Sequence, residues 1–289
     1  MAPWDPSEYD GEDDRLERTV FLVGTGAEEG AWPAVTKAIE ALFPRGQSAG
    51  VDGGWENFVM AKLVAVHRAQ HGSGKFGAHG QTDLQRLKEE IVTSLRQAVA
   101  KGDLRLRPKF LKVAKDPDWG ETVFLTTNWD TSIKNALPDA DVRYIHGNVS
   151  DPATLYLPSD YAFDPSHPES TRNDMLVAQH ECIETLWEAS TIVIYGLSLD
   201  PLDGELAAIC ATGFQAKVSG EEKLNKIVIY DVPEKKQILT DRVRWLHPTP
   251  DTVEIEFRAV RGKQKKRQPR RRRSPGTPSA ARPPVTGRC

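Results

Sequence analysis

Short apolar runs, many of them β-branched, alternate along this chain with longer stretches in which apolar residues recur at helical spacing. The runs lie at residues 19–23, 123–125, 142–145, 191–195 and 226–230. Continuous apolar runs are typical of strands buried on both faces of a parallel sheet. A further short strand is predicted near residues 155–157. The pattern predicts an α/β fold, a Rossmann-like parallel sheet flanked by helices.

Helices are predicted between these strands from the spacing of the apolar positions. They cover about residues 32–43, 55–71, 81–99, 173–189 and 204–214. The second and third of them lie between the first two strands of the sheet. We therefore expect a helical insertion over about residues 55–100.

Glycines or polar residues follow the predicted strands at the points where the strands end. The ends are Gly24-Thr25-Gly26-Ala27, Thr126-Thr127-Asn128-Trp129-Asp130, His146-Gly147, Gly196-Leu197-Ser198 and Asp231. Open α/β sheets bind their ligands at the carboxyl ends of the strands. An amide can hold a hydroxyl group or a water, and a histidine can take a proton near neutral pH. We therefore expect Asn128 and His146 to face one another across a cavity floored by the first glycine turn.

The first glycine turn has the order strand, G-x-G-x-x-x-G, helix. Small residues there let backbone N–H groups and a helix N-terminus approach a pyrophosphate. The spacing differs by one residue from the dehydrogenase fingerprint, and Glu28 and Glu29 lie where a phosphate would approach. Taken alone, the turn is equally compatible with nucleotide binding and with an ordinary strand-to-helix connection.

The composition argues against a disulfide framework, a zinc knuckle and a membrane span. The three cysteines have no C-x-x-C spacing. His67, His71 and His79 lack a Cys, Asp or Glu at a regular offset, so we predict no metal site. No stretch approaches the roughly 20 apolar residues of a membrane span, and the acidic start does not resemble a signal peptide. These features predict a cytoplasmic protein with reduced thiols.

Charge is distributed unevenly along the chain. Residues 261–289 contain eleven Lys or Arg and no acid, which leaves 27 basic against 41 acidic residues, a net charge of −14, in residues 1–260. We predict an acidic, disordered lead-in over residues 1–17, a folded domain over 18–258 and a disordered basic tail over 259–289. Residues 261–273 could contact nucleic acid nonspecifically through phosphates, dock on an acidic surface, or serve only solubility.

The strand ends together resemble the sirtuin superfamily, in particular its bacterial sirtuin-like branch found in antiphage defence effectors. The resemblance covers about residues 19–235. It implies that NAD is the substrate, that the glycine turn lies on the pyrophosphate and that the Asn of the T-x-N-x-D segment holds the nicotinamide ribose and a water. It also implies that the His is the base and that the last strand end borders the adenosine.

These implied roles are carried over position by position. The glycine turn corresponds to Gly24, Thr25, Gly26 and Ala27, and the amide to Asn128 with Asp130 as its support. The base corresponds to His146, and the adenosine side of the site to Ser198 and Asp231.

Two departures from the protein-deacylating sirtuins favour a different activity within the superfamily. Those enzymes carry an Arg-containing stretch after the glycine turn and a four-cysteine zinc module after the catalytic His. Here residues 31–34 read Ala-Trp-Pro-Ala, and no cysteine lies between His146 and Cys182. The resemblance therefore implies an NAD hydrolase without a metal, acting in antiphage defence by NAD depletion. It also implies a homo-oligomer, a separately encoded sensor or ATPase partner, or both.

Two alternatives remain open on the sequence alone. One is an NAD-dependent protein deacylase. The other is a non-catalytic module that binds a nucleotide or, through its tail, nucleic acid.

Overall fold

The computed structural model describes residues 18–42, 75–151, 154–157, 169–201, 203–215 and 224–260. The predicted acidic lead-in, the predicted helix over 55–71 and the predicted basic tail from residue 261 lie outside these ranges.

A six-stranded sheet, parallel throughout, forms the centre of the domain. A separate two-stranded ribbon, β2 with β3, lies beside it. In chain order the strands are β1 (Arg18–Val23), β2 (Glu28–Glu29), β3 (Arg105–Leu106), β4 (Glu121–Thr126), β5 (Asp141–Tyr144), β6 (Thr191–Tyr195), β7 (Lys226–Asp231) and β8 (Glu254–Ala259). The predicted α/β, Rossmann-like fold is therefore confirmed.

Helices connect the strands and cover the sheet. They are α1 (Ala31–Leu42), α2 (Lys75–Lys101), α3 (Pro108–Ala114), α4 (Ser132–Ala136), α5 (Glu169–Trp187), α6 (Gly204–Gly213) and α7 (Lys236–Leu246). Helix α2 begins before the predicted residue 81, and helix α5 begins before the predicted residue 173. Both predicted helices are present, with different bounds.

The order of strands across the sheet is β5-β4-β1-β6-β7-β8. The chain builds outward from β1 to β5 on one side and then returns to add β6, β7 and β8 on the other. The strand order thus reverses between β1 and β6. In open α/β sheets a ligand crevice forms at such a reversal, outside the carboxyl ends of the strands.

Both faces of the sheet are buried, which explains why its strands read as continuous apolar runs. Successive side chains of a strand point to opposite faces. Val20 and Leu22 of β1 pack in a cluster with residues of α5, α6 and α7. Phe21 and Val23 pack in a second cluster, which contains Phe110 of α3.

A third hydrophobic cluster is formed by α1 and α2 and lies against the loops that follow β4 and β5. Trp129 and Val149 from these loops are buried in it beside Leu95 of α2. Backbone and side-chain bonds connect the same parts, because Arg96 Nε of α2 donates to the carbonyl oxygen of Val149 at 2.9 Å. The Val149 N–H in turn donates to the carbonyl oxygen of Trp129 at 2.7 Å.

One predicted strand is absent from the structure, and some observed elements were not predicted. Residues 155–157 form no strand, because they are held instead through the Tyr156 N–H, which donates to the carbonyl oxygen of His146 at 3.1 Å. Strand β8 and helix α7 were not predicted. Strand β8 is an edge strand that alternates charged and apolar residues, and it extends the fold to residue 259, inside the predicted tail.

Among the residues that the structure describes, no helix is long and apolar enough to cross a membrane. In those same ranges no three His, Cys, Asp or Glu side chains form a group that could hold a metal ion.

Candidate active site

A cavity of about 630 Å³ lies outside the carboxyl ends of β1, β4, β6 and β7, at the reversal of strand order. Residues from the first glycine turn, the β4 loop, the end of β5 and the β6 loop line it together. They include Gly26, Asn128, His146 and Ser198. The predicted convergence of the strand ends on one cavity is therefore observed.

The loop after β4 is held by its own polar residues. The Asn128 N–H donates to Thr126 Oγ1 at 3.0 Å, and Asp130 Oδ1 accepts from the Ser132 N–H at 2.8 Å. Asn128 Nδ2 faces the carbonyl oxygen of Gly24 at 3.4 Å, which ties the loop to the end of β1. Asn128 is only 3% exposed. The amide is thereby fixed in orientation at the base of the cavity.

His146 is held from two sides. Its Nε2 lies 3.0 Å from Oδ2 of Asp203, and both side chains are buried. Its ring packs edge-on against Tyr156, with 5.2 Å between the ring centroids. An ionised carboxylate only accepts hydrogen bonds, so this contact assigns the ring hydrogen to Nε2 and leaves Nδ1 as the basic nitrogen.

Asp203 reaches His146 because it is also the N-cap residue of α6. Its Oδ1 accepts from the Leu206 N–H at 3.1 Å, while Oδ2 contacts the imidazole. One side chain therefore fixes both the start of the helix and the orientation of the histidine.

Glu28 also lines the cavity. The sequence did not indicate it as a site residue. It belongs to β2, whose two residues point in opposite directions. Glu28 is 2% exposed and faces the cavity. Its neighbour Glu29 points outward and pairs with Arg105 at 3.0 Å and with Arg107 at 3.6 Å. Burial first, and then the negative charge of Asp130, raise the pKa of the Glu28 carboxyl well above its ordinary 4.5.

The glycines of the first turn permit a close backbone contact across the reversal point. The Gly26 N–H donates to the carbonyl oxygen of Gly196 at 2.9 Å. A Cβ on Gly26 would lie 2.5 Å from Gly196 Cα, and one on Gly24 would lie 2.7 Å from the Gly196 oxygen. Larger residues would therefore separate the loops after β1 and β6. Thr25 Oγ1 accepts from Trp32 Nε1 at 3.1 Å, which holds the turn against α1.

Charged side chains near the ends of β6 and β7 line one side of the cavity. Arg242 of α7 donates from Nη1 to the carbonyl oxygen of Ser198 at 2.7 Å. Asp231 Oδ1 accepts from the Val232 N–H at 2.6 Å, and Lys235 Nζ lies 3.8 Å from its Oδ2. Arg107, Lys235 and Arg242 thus bring positive charge to a cavity whose floor is acidic.

Seven of the nine residues predicted for the site line the cavity. They are Thr25, Gly26, Asn128, Asp130, His146, Ser198 and Asp231. Gly24 and Ala27 are buried but do not line the cavity. Gly24 lies against the β6 loop, and Ala27 packs in the hydrophobic core. The sequence did not indicate Glu28, Asp203 or the three basic residues. An Asp directly before a helix signals an N-cap, but nothing in the sequence pairs it with a histidine 57 positions away.

No protein-family model, no curated protein and no solved structure matches this chain.

Proposed function

We propose that this protein is an NAD glycohydrolase of the sirtuin-like kind, which cleaves NAD to nicotinamide and ADP-ribose. One observation carries the proposal: Asn128 and His146 line the same cavity, and the turn through Gly26 lines it with them. An amide and an imidazole that line one cavity next to a glycine turn are suited to hydrolysis of a dinucleotide at its ribose.

The reaction breaks the bond between the pyridinium nitrogen and the ribosyl carbon. The bonding electron pair leaves with nicotinamide, which becomes neutral, and the ribosyl carbon becomes cation-like. Asn128 holds the attacking water, whose oxygen forms the new bond to the ribosyl carbon, and His146 takes the proton that this water loses. General base catalysis of this kind contributes on the order of 10²–10⁴-fold.

Asp203 is the positioning residue for this step. Its contact with Nε2 of His146 fixes the ring and stabilises the imidazolium that forms when the ring takes a proton. Tyr156 restricts the same ring by packing at about a right angle to it, at an interplanar angle of 88°. The base is thereby oriented before substrate binds, which removes a reorganisation cost from the chemical step.

The remaining lining supports a dinucleotide rather than a smaller ligand. The volume of about 630 Å³ lies within the usual range of roughly 300–1,000 Å³ for ligand sites. The N–H groups of Gly24, Gly26 and Ala27 donate to carbonyl oxygens within the protein. On this side of the cavity it is the positive charge of Arg107 that suits a pyrophosphate. The Asp231 carboxyl, at the end of a neighbouring strand, suits the hydroxyl groups of the adenosine ribose.

In a cell this activity would deplete cytoplasmic NAD, the action of an antiphage effector. Such an enzyme must be inactive until needed, so we propose control by homo-oligomerisation or by a separately encoded sensor or ATPase. The basic residues 261–273 are a candidate contact for nucleic acid or for an acidic partner.

The test is nicotinamide release from NAD by the purified full chain, with and without an acylated peptide, at several protein concentrations. Release that needs no peptide and is lost in Asn128→Ala and His146→Ala supports the hydrolase. Release only with the peptide supports a deacylase instead. NAD binding by calorimetry without turnover at any concentration supports a non-catalytic nucleotide-binding module.

A further inference from the structure

Strand β8 is an edge strand, with backbone hydrogen-bonding groups on its outer side. Within the described sheet it pairs with β7 alone. The N–H groups of Glu254 and Val260 donate to carbonyl oxygens on the β7 side, at 3.0 Å and 2.8 Å. Successive residues of a strand direct their backbone groups to opposite sides. The N–H and C=O groups that point away from the sheet are therefore those of Ile255, Phe257 and Ala259, and an outward row of this kind can pair with another strand.

The side chains of β8 alternate between an apolar face and a charged face. Ile255 and Phe257 are partly buried against the cluster that contains residues of α5, α6 and α7. Glu256 and Arg258 lie on the other face, with side chains 34% and 40% exposed, and pair with one another at 2.6 Å. Arg258 Nη1 also donates to the hydroxyl of Tyr230 at 2.7 Å. The edge therefore presents opposite charges two positions apart, in fixed places.

This spacing makes β8 complementary to itself in one antiparallel register. A twofold axis at Phe257 would place Glu256 of each copy directly opposite Arg258 of the other. Phe257 would then pair with its own equivalent, and Ile255 with Ala259 of the second copy, through the outward-facing backbone groups. Opposite charges at directly opposed positions of a sheet are stabilising, and like charges there are destabilising.

The neighbouring registers are disfavoured by the same charges. An axis at Glu256 would oppose two glutamates, and an axis at Arg258 would oppose two arginines. Charged residues on an edge strand usually prevent edge-to-edge pairing. On β8 the order of the charges instead excludes the neighbouring registers and permits the one centred on Phe257.

We propose that β8 is the interface for a second copy of this chain, which pairs with it in antiparallel fashion about a twofold axis at Phe257 and so joins the two sheets. A second copy is the partner because the strand is complementary to its own sequence. The inference gives the proposed homo-oligomer a defined surface, and it does not depend on NAD cleavage.

The opposite edge strand, β5, is the less suitable interface. It carries Asp141 and Arg143 at the same spacing, and the two pair at 3.0 Å. However, β5 has four residues against six in β8. Arg143 is also bonded to Thr185 of α5, at 2.6 Å, which directs it toward its own chain. Strand β5 therefore offers a matched control for experiments on β8.

The first experiment exchanges charges between copies and measures association of the full chain by analytical ultracentrifugation over a range of concentrations. Glu256→Arg places an arginine opposite Arg258, and Arg258→Glu places a glutamate opposite Glu256. Each variant alone should dimerise at least about tenfold more weakly than wild type. An equimolar mixture of the two should recover the wild-type affinity within a few-fold, because each repulsion becomes an attraction. Asp141→Arg, on β5, should leave dimerisation unchanged.

The second experiment tests the register by disulfide formation, in chains that also carry Cys289→Ser. Positions 256 and 258 of the two copies would form a non-hydrogen-bonded pair, with about 4.5 Å between Cα atoms, which a disulfide can span. A mixture of Glu256→Cys and Arg258→Cys chains should cross-link under mild oxidation, whereas neither variant should cross-link on its own. Circular dichroism checks that every variant is folded. The cysteine variants place no like charges together, so this test holds even if a charge-reversed variant does not fold.

Several outcomes overturn the inference. They are a chain that is monomeric at every concentration, a dimer that the charge reversals on β8 leave intact, a weakening that mixing does not reverse, and a dimer that Asp141→Arg weakens as much. Cross-linking of Glu256→Cys with itself would mean a different register and overturns it too. Nicotinamide release is measured separately. The interface stands if wild type dimerises as expected but cleaves no NAD, and the hydrolase stands if a monomeric chain cleaves it.

Discussion

The imidazole of His146 and the carboxyl of Asp203 lie 3.0 Å apart, Nε2 to Oδ2, although 57 residues separate them in the chain. The contact joins the end of β5 to the start of α6, on opposite sides of the reversal in strand order. His146 alone would be one buried histidine among polar neighbours. With Asp203 the imidazole has a fixed orientation.

Replacing Asp203 by Asn tests this contact. Asn is as good an N-cap as Asp, so the start of α6 is kept, but the charge opposite the imidazole is lost. We expect kcat for nicotinamide release to fall by about 10²-fold or more, with KM little changed. The measurement is steady-state kinetics of nicotinamide release by the variant and by wild type.

The control for that substitution is thermal unfolding of Asp203→Asn. We expect its midpoint to match that of wild type, because the cap is retained. A matching midpoint with unchanged kcat would show that the carboxylate does not assist the histidine.

Arg107 and Arg105 form a matched pair for testing phosphate binding. Both contact Glu29, but Arg107 lines the cavity and Arg105 lies on the outer surface, 72% exposed. We expect Arg107→Ala to raise KM for NAD about tenfold, a loss of about 1.4 kcal/mol in binding, with kcat unchanged. Arg105→Ala should leave both constants as they are. Equal effects of the two substitutions would assign the role to Glu29 rather than to the cavity.

Gly26 should tolerate no side chain. An alanine Cβ there would lie 2.5 Å from Gly196 Cα, and backbone cannot rotate away from such a clash. We expect Gly26→Ala to lower the free energy of unfolding by about 1–3 kcal/mol, as measured by urea denaturation. Gly102→Asn is the control, because Gly102 has φ +72°, a Cβ there meets nothing within 4 Å, and Asn accepts that conformation. A stable Gly26→Ala would mean that the two loops are not held together.

Glu28 should make stability depend on pH in a defined direction. In the unfolded chain the carboxyl loses its proton near its ordinary 4.5, whereas in the folded protein the raised pKa retains the proton to higher pH. Between these two values the folded state binds more protons, so the free energy of unfolding of wild type falls as the pH rises. Above the folded-state pKa the decrease ends.

Glu28→Gln lacks this contribution. The free energy of unfolding of Glu28→Gln should therefore rise relative to that of wild type as the pH increases through the same window. Urea denaturation of both proteins at a series of pH values measures the difference. Parallel stability curves would contradict the raised pKa.

The sheet and the central pair of site residues were predictable because their signals are local. Four of the predicted strands, at residues 19–23, 123–125, 191–195 and 226–230, are largely apolar runs in the interior of the sheet, and burial on both faces leaves such a run few other conformations. Asn128 and His146 follow their strands directly, so the strand prediction also fixes where they lie. Strand β8 was missed because one edge of it is open, and its charged residues break the apolar run.

Glu28 and Asp203 could not be predicted because their positions depend on distant pairings. Glu28 faces inward only because β2 pairs with β3, and each of these strands is two residues long. So short a ribbon has no apolar run that would reveal it in the sequence. Its paired residues Glu29 and Arg105 are 76 positions apart in the chain. From the sequence alone, the negative charge of Glu28 counts against phosphate binding at the glycine turn.

Helix α2 is bonded to the loop that follows His146, through Arg96 and Val149, and the next bond in the series ends on Trp129, the neighbour of Asn128. The amide and the base therefore share one mechanical support outside the sheet. A change in the position of α2 is therefore expected to reach Asn128 and His146 together rather than either residue alone.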